Sequence, residues 1–274
     1  LKCVILYVRL LGKGVIIMVD YLKSKHILEE RINIDGIPAI LFRPKEEEGL
    51  LPTIIFYHGW SSNKEKQRLR GFILASLGYQ VAIPDAIYHG EREPLSSYNV
   101  KNASKYFWQV IFNNMEEASA IIHKLVSEYD ADANRIGVIG HSMGGFTAAG
   151  IFTHNPRIKA LVVLNGSCYW ENSNEFFERN LHIGEGQKDE VVRERVSQLD
   201  PMNNLDLIVN RPILMLHGDK DTSVPIESQK LFYDKVQPMY EDKDRIKLVS
   251  YPNLNHFVTT NMMEETIGWF SRYL

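Results

Sequence analysis

Cysteine is scarce in this 274-residue chain, which holds only Cys3 and Cys168. Two thiols so far apart give no disulfide framework, which points to a reducing, cytoplasmic setting. One-sided charge is missing too: 31 basic side chains stand against 34 acidic ones, for a net charge of -3. Nucleic-acid binders usually carry a basic face, so no nucleic-acid partner is expected. No uncharged apolar run is long enough to cross a bilayer as a helix, so no membrane partner is expected either. The most hydrophobic stretch, Leu1 to Val19, is interrupted by Lys2, Arg9 and Lys13. It has neither the single apolar block nor the small-residue cleavage site of a secretory signal. Met18 opens a sequence that runs smoothly into the first strand. Residues 1–17 are therefore expected to be an upstream extension, non-native or disordered, and residues 18–274 a single domain. There are no repeats, linkers or low-complexity segments.

What is present is an alternation of apolar runs and helical periodicity. Residues 30–44 read as an antiparallel hairpin, with Asp35-Gly36 as a tight turn. Continuous apolar runs at 52–59, 79–84, 136–139, 159–167, 211–219 and 246–251 suit buried strands of a parallel sheet. Helical spacing falls between them at 65–77, 102–129, 225–236 and 257–273. Strands alternating with helices predict an α/β fold, a mostly parallel, doubly wound sheet with helices on both faces. Between 168 and 210 the chain turns charged and aromatic, with weak helical patterns near 173–181 and 188–198. This stretch is expected to form a small helical cap insertion.

Gly140-His141-Ser142-Met143-Gly144 follows the strand at 136–139 and opens a helical stretch. This is the G-x-S-x-G pattern of a nucleophile elbow, where small residues flank a serine held on a sharp turn. Taken alone, it fits a serine capping an ordinary helix equally well. The partners decide, and they lie where an open parallel sheet collects reacting groups, beyond the carboxyl ends of its strands. One such loop is His217-Gly218-Asp219-Lys220-Asp221-Thr222-Ser223-Val224-Pro225, a second holds Asn255-His256-Phe257, and a third is His58-Gly59-Trp60-Ser61.

These motifs resemble the α/β-hydrolase family, and the resemblance runs from about residue 30 to the end. It is nearest to the bacterial dienelactone-hydrolase-like and prolyl-oligopeptidase-like esterases. The family's triad runs serine, acid, histidine along the chain, an order that Ser142, Asp221 and His256 respect. The acid loop HGDKDTSVP is similar to the HGxxDxxVP pattern of the esterase members. The resemblance implies Ser142 as nucleophile, His256 as base and Asp221 as the acid that orients it. Asp219, two residues away, is the competing acid, set second by the motif spacing. By the same resemblance the backbone N–H groups of Trp60 and Met143 are the oxyanion donors.

His58 and His217 are accompanied by no third ligand at zinc-like spacing, so neither a metal nor a cofactor is expected. The loop YHGERE resembles one near the active site in a bacterial subgroup, which makes His89 and Arg92 candidates for bordering the substrate. Cys168 and Trp170, at the start of the insertion, are further candidates. The activity implied is hydrolysis of small carboxylic esters through an acyl-serine intermediate. Thioesterase, deacetylase or small-peptide hydrolase activity would use the same machinery. A peptidase stands lower, because 274 residues leave no room for the large gating domain of prolyl oligopeptidases. A non-catalytic binding protein on the same fold is the alternative of another class. The partner expected is a small-molecule ester, and a homo-oligomer is left open.

Overall fold

The computed structural model describes residues 7–10, 15–18, 22–47, 49–182 and 190–274. Two short strands, β1 (Tyr7–Leu10) and β2 (Val15–Met18), pair antiparallel in a sheet of their own. The rest of the expected 1–17 extension lies outside the described residues.

The apolar runs form the remaining strands: β3 (Ile27–Ile34), β4 (Ile37–Pro44), β5 (Leu51–Tyr57), β6 (Gln80–Pro84), β7 (Ala131–His141), β8 (Ile158–Leu164), β9 (Ile213–Gly218) and β10 (Ile246–Tyr251). They build one eight-stranded sheet in the order β10-β9-β8-β7-β5-β6-β4-β3. The β3–β4 hairpin turns at Asp35-Gly36 as expected, and both residues have positive φ. It adds to the sheet antiparallel, through β4 against β6, while the neighbouring pairs from β10 to β6 are all parallel.

The helices are α1 (Arg68–Ala75), α2 (Val100–Glu128), α3 (Met143–His154), α4 (Trp170–Leu181), α5 (Glu190–Leu199), α6 (Ile226–Val236) and α7 (Thr260–Tyr273). Alternation along the strands assigns residues to the two faces of the sheet. Ile55, Tyr57 and Val138 pack with Ile121, Phe152 and Phe232 of α2, α3 and α6. Ile54, Phe56 and Ile139 pack with Leu74, Met262 and Phe270 of α1 and α7. Both faces are therefore covered, and the central strands are buried over their carboxyl-terminal halves.

The insertion between β8 and β9 carries α4 and α5, close to the two helical patterns expected. Phe177 and Trp170 of α4 join Trp108, Phe107 and Phe146 in an aromatic cluster that fastens it to α2 and α3. The last helix begins three residues later than its periodicity suggests. Thr259 accepts the Met262 N–H as a side-chain cap, which leaves 252–258 free as a loop at the carboxyl end of β10.

Candidate active site

Ser142 stands between β7 and α3 with φ 56° and ψ -123°, a conformation that L-residues rarely adopt and that marks a strained turn. The two flanking glycines explain how it is reached. A Cβ on Gly140 would lie 1.8 Å from Gly144 O, and one on Gly144 would lie 2.0 Å from Tyr57 O. The turn is thus pressed backbone to backbone against β5. The alternative of a simple helix cap does not hold, because the Ser142 side chain makes no cap hydrogen bond. Its hydroxyl has no hydrogen-bond partner among the described residues, and the residue is partly exposed.

The acid and histidine loops are held together before their side chains meet. Asn255 Oδ1 accepts the Thr222 N–H at 3.0 Å and the His256 N–H at 2.8 Å. Lys220 N–H donates to Leu254 O at 2.9 Å. A buried asparagine at the end of β8 adds a third tie: Asn165 Oδ1 accepts the Gly218 N–H and its Nδ2 donates to Phe257 O. Within this frame His256 Nδ1 lies 2.7 Å from Asp221 Oδ2. The Asp221 side chain has no exposure and that of His256 has 20%. Asp219 shows no such contact with His256, and among the described residues its Oδ1 is buried without a partner.

Asp221 is an anion held by its surroundings. Burial pushes its carboxyl up, but bonds from His217 and His256 and the Val224 N–H more than reverse this and hold it below the usual carboxylate range. Oδ1 accepts the Ser223 and Val224 N–H groups, each at 2.9 Å. His217 Nε2 donates to Val224 O at 2.8 Å and lies 3.3 Å from Asp221 Oδ2. That side of the loop is therefore closed, and the ring of His256 is the one partner left facing outward.

His141, just before the serine, stacks on His256 with ring centroids 5.0 Å apart. Burial, reinforced by His256 and Arg70, lowers it to about 3, so it is neutral at ordinary pH. On the other side of Ser142, a Cβ on Gly59 would come within 3.1 Å of Ser142 Cβ. The loop carrying the Trp60 N–H therefore adjoins the serine. Met143 is the first residue of α3, where N–H groups have no intrahelical acceptor and the helix dipole favours negative charge.

The residues expected to border the substrate have these surroundings. His89 is fully buried, against Trp60 and Tyr98. Arg92 forks onto Glu117 at 2.8 and 2.6 Å and also donates to Asp85 O. Cys168 and Trp170 are closed to solvent, with Trp170 against Trp108 and Gly150. Burial raises the Cys168 thiol, keeping it protonated. The surfaces of His89, Cys168 and Trp170 are taken up by protein, and the Arg92 fork is taken up by Glu117. Among the described residues no group of three His, Cys, Asp or Glu is arranged to hold a metal ion, and no helix is long and apolar enough to cross a membrane.

Sequence reasoning missed Asn165, Asn255 and the Lys64–Asp85 pair. Lys64 and Asp85 are both buried to 1% exposure, and the Lys64 ammonium is bonded to the Asp85 carboxylate. Asp85 also accepts the backbone N–H groups of Lys64 and Glu91, each at 2.9 Å. The pair joins the loop after β5 to the loop after β6.

The model of the prolyl oligopeptidase family matches residues 67–274, which span Ser142, Asp221 and His256. The chain belongs to this family. Among relatives of this prolyl oligopeptidase-family protein, YitV of Bacillus subtilis is 33% identical over 89% of this chain and 98% of its own. Esterase YjfP of Escherichia coli is 26% identical, with the same coverage of both chains. The crystal structure of TT1662 from Thermus thermophilus has the same fold, with a TM-score of 0.74 at 21% identity over 90% of this chain and 97% of that one.

Proposed function

We propose that the protein is a serine esterase that cleaves small carboxylic esters through an acyl-serine intermediate. The observation that carries this reading is the 2.7 Å contact of His256 Nδ1 with a buried, ionised Asp221, beside a serine whose hydroxyl is unengaged on a strained turn. The name of its Escherichia coli relative, an esterase matched over nearly its whole length, supports the ester bond as the target.

Asp221 fixes the tautomer of His256 with Nδ1 protonated, which leaves Nε2 bare to accept a proton. Ser142 Oγ attacks the acyl carbon as His256 Nε2 takes its proton, and the oxyanion is held by the N–H groups of Trp60 and Met143. His256 then returns the proton to the leaving alcohol. Water repeats the sequence on the acyl-serine and frees the acid. The serine bond to His256 forms as substrate settles, since such contacts often tighten only in the Michaelis complex.

Labelling with a fluorophosphonate tests the nucleophile. The label is expected on Ser142 in the intact protein and nowhere in Ser142→Ala, which loses hydrolysis of p-nitrophenyl acetate. An intact protein that neither labels nor hydrolyses short aryl esters is a binding protein on this fold. A peptide substrate is the second reading, favoured by the family's name and by the name of a relative, dipeptidyl-peptidase 5 of Porphyromonas gingivalis; turnover of an aminoacyl p-nitroanilide faster than of the matching ester would select it. We place the protein in the cytosol, acting on a small molecule without a cofactor, a setting supported by its scarce cysteine and balanced charge.

A further inference from the structure

The His58 ring is fully buried, and both its nitrogens are spent on backbone groups. Nδ1 lies 3.0 Å from Gly59 O, which can only accept, so Nδ1 carries the proton. Nε2 lies 3.1 Å from Ala86 N, which can only donate, so Nε2 is bare. The tautomer is thus set by its neighbours. Burial, with the nearby His89 next in weight, lowers the ring to about 4, so it stays neutral.

Gly59 O also accepts the Ser62 N–H at 3.1 Å. The carbonyl of Gly59 and the N–H of Trp60 are opposite ends of one planar trans peptide. Two bonds that hold the carbonyl therefore hold the direction of the N–H on its far side. This peptide adjoins the nucleophile, since a Cβ on Gly59 would nearly touch Ser142 Cβ. The far anchor is rigid as well: Ala86 follows Asp85, whose carboxylate binds the Lys64 ammonium and two backbone N–H groups.

We infer that His58 is a positioning residue, whose ring locks the Gly59–Trp60 peptide so that the Trp60 N–H is preset for the oxyanion, with the buried Lys64–Asp85 pair anchoring the lock. The inference rests on the esterase reading of Ser142. Its physical content is preorganisation: a donor already aimed needs no rearrangement as charge develops in the transition state. Without the ring, the peptide keeps one of its two restraints and can rotate away from the oxyanion.

The test compares His58→Ala and His58→Asn in hydrolysis of p-nitrophenyl acetate and in inhibition by an aryl trifluoromethyl ketone, whose adduct carries an oxyanion. His58→Ala is expected to lower kcat by about ten- to a hundredfold, less than loss of a direct donor. KM stays within about twofold, and ketone affinity falls in step with kcat. His58→Asn, with an amide N–H near the position of Nδ1, recovers most of both. Unchanged kcat in His58→Ala, or a rise in KM alone, overturns the inference. A second readout is nitrogen NMR of histidine-labelled protein: the ring signal that is missing from His58→Asn is expected to show protonated Nδ1 and bare Nε2 and to stay neutral to pH 5, and any other state of that ring overturns the lock. Ser142→Ala run alongside separates the two claims. Activity surviving there sinks the esterase reading, whereas activity lost there but unchanged in His58→Ala sinks this inference alone.

Discussion

Asp219 and Asp221 sit two residues apart in one loop, yet only one carboxylate reaches His256. The reason is the direction of the turn after β9: the Asp219 N–H is tied to Tyr251 O, and Asp221 turns inward onto Val224, His217 and His256. Asp221→Ala is expected to lower kcat/KM by roughly 10³- to 10⁴-fold, in the range seen when the acid of a triad is disabled. Asp219→Ala is expected to cost less than about tenfold. Steady-state kinetics on one ester with both variants checks this, and the reverse order would move the acid to Asp219. The spacing of HGDKDTSVP already favoured Asp221, because a loop motif is local. Asn165 and Asn255 were not legible: each ties residues from separate strand ends, and nothing in their immediate neighbours reveals that.

The elements near the site are held by two buried carboxylates with opposite consequences. Asp85 is matched by Lys64, whose ammonium also bonds the partly exposed Glu91 carboxylate at 2.9 Å; removing Lys64 therefore leaves the buried Asp85 charge without its cation. Lys64→Met is expected to destabilise the protein by about 3–5 kcal/mol in urea unfolding, while Lys64→Met combined with Asp85→Leu costs distinctly less. Equal losses in the single and double variants would show that the pair is not what holds the two loops.

Asp200 has no cation beside it among the described residues. It accepts the Glu171 and Met202 N–H groups, joining α4 to the turn that follows α5. Burial raises its carboxyl to about 6, against the lowering effect of those N–H groups. Its folded value exceeds its unfolded one, so the folded state binds more protons between about pH 4 and 6. The stability associated with the neutral carboxyl is full below about pH 4 and is lost as pH rises through 6, amounting to on the order of 2–3 kcal/mol. The difference in unfolding free energy between wild type and Asp200→Asn, followed from pH 4 to 7, is expected to carry this slope; a flat difference would contradict the placement of Asp200. The insertion itself was legible as a change in composition, but Asp200 was not, since its partners are 2 and 29 residues away.

At the scale of the whole molecule, the sheet separates two cores. Phe152 of α3 packs with α2 and α6 on one face and Phe270 of α7 with α1 on the other, both without exposure. Each Phe→Ala substitution is expected to cost about 3–5 kcal/mol, from lost transfer energy and the cavity left behind. Because the residues share no cluster, the double variant should lose the sum within about 0.5 kcal/mol. Chemical denaturation followed by fluorescence and by circular dichroism measures this, and a large departure from additivity would mean that the sheet transmits strain between its faces. The order of strands and helices was readable because period-2 and period-3.6 patterns are local consequences of which side is buried. The position of β3 and β4 at the sheet's end was only partly so. The Asp35-Gly36 turn predicts the hairpin, but its addition to β6 is a pairing between residues some 40 apart.

The sequence by itself determined the α/β alternation, the tight turn around Ser142 and the serine, acid, histidine order, because each is written in residues that are neighbours or stand at strand ends. Tertiary structure alone decided that Asp221 is the carboxylate facing His256 and that Lys64 lies under Asp85. It also buried His89, Cys168 and Trp170 and paired Arg92 with Glu117. Those outcomes depend on which loops the sheet brings side by side, and on burial, which makes an unpaired charge costly and a shared hydrogen bond selective.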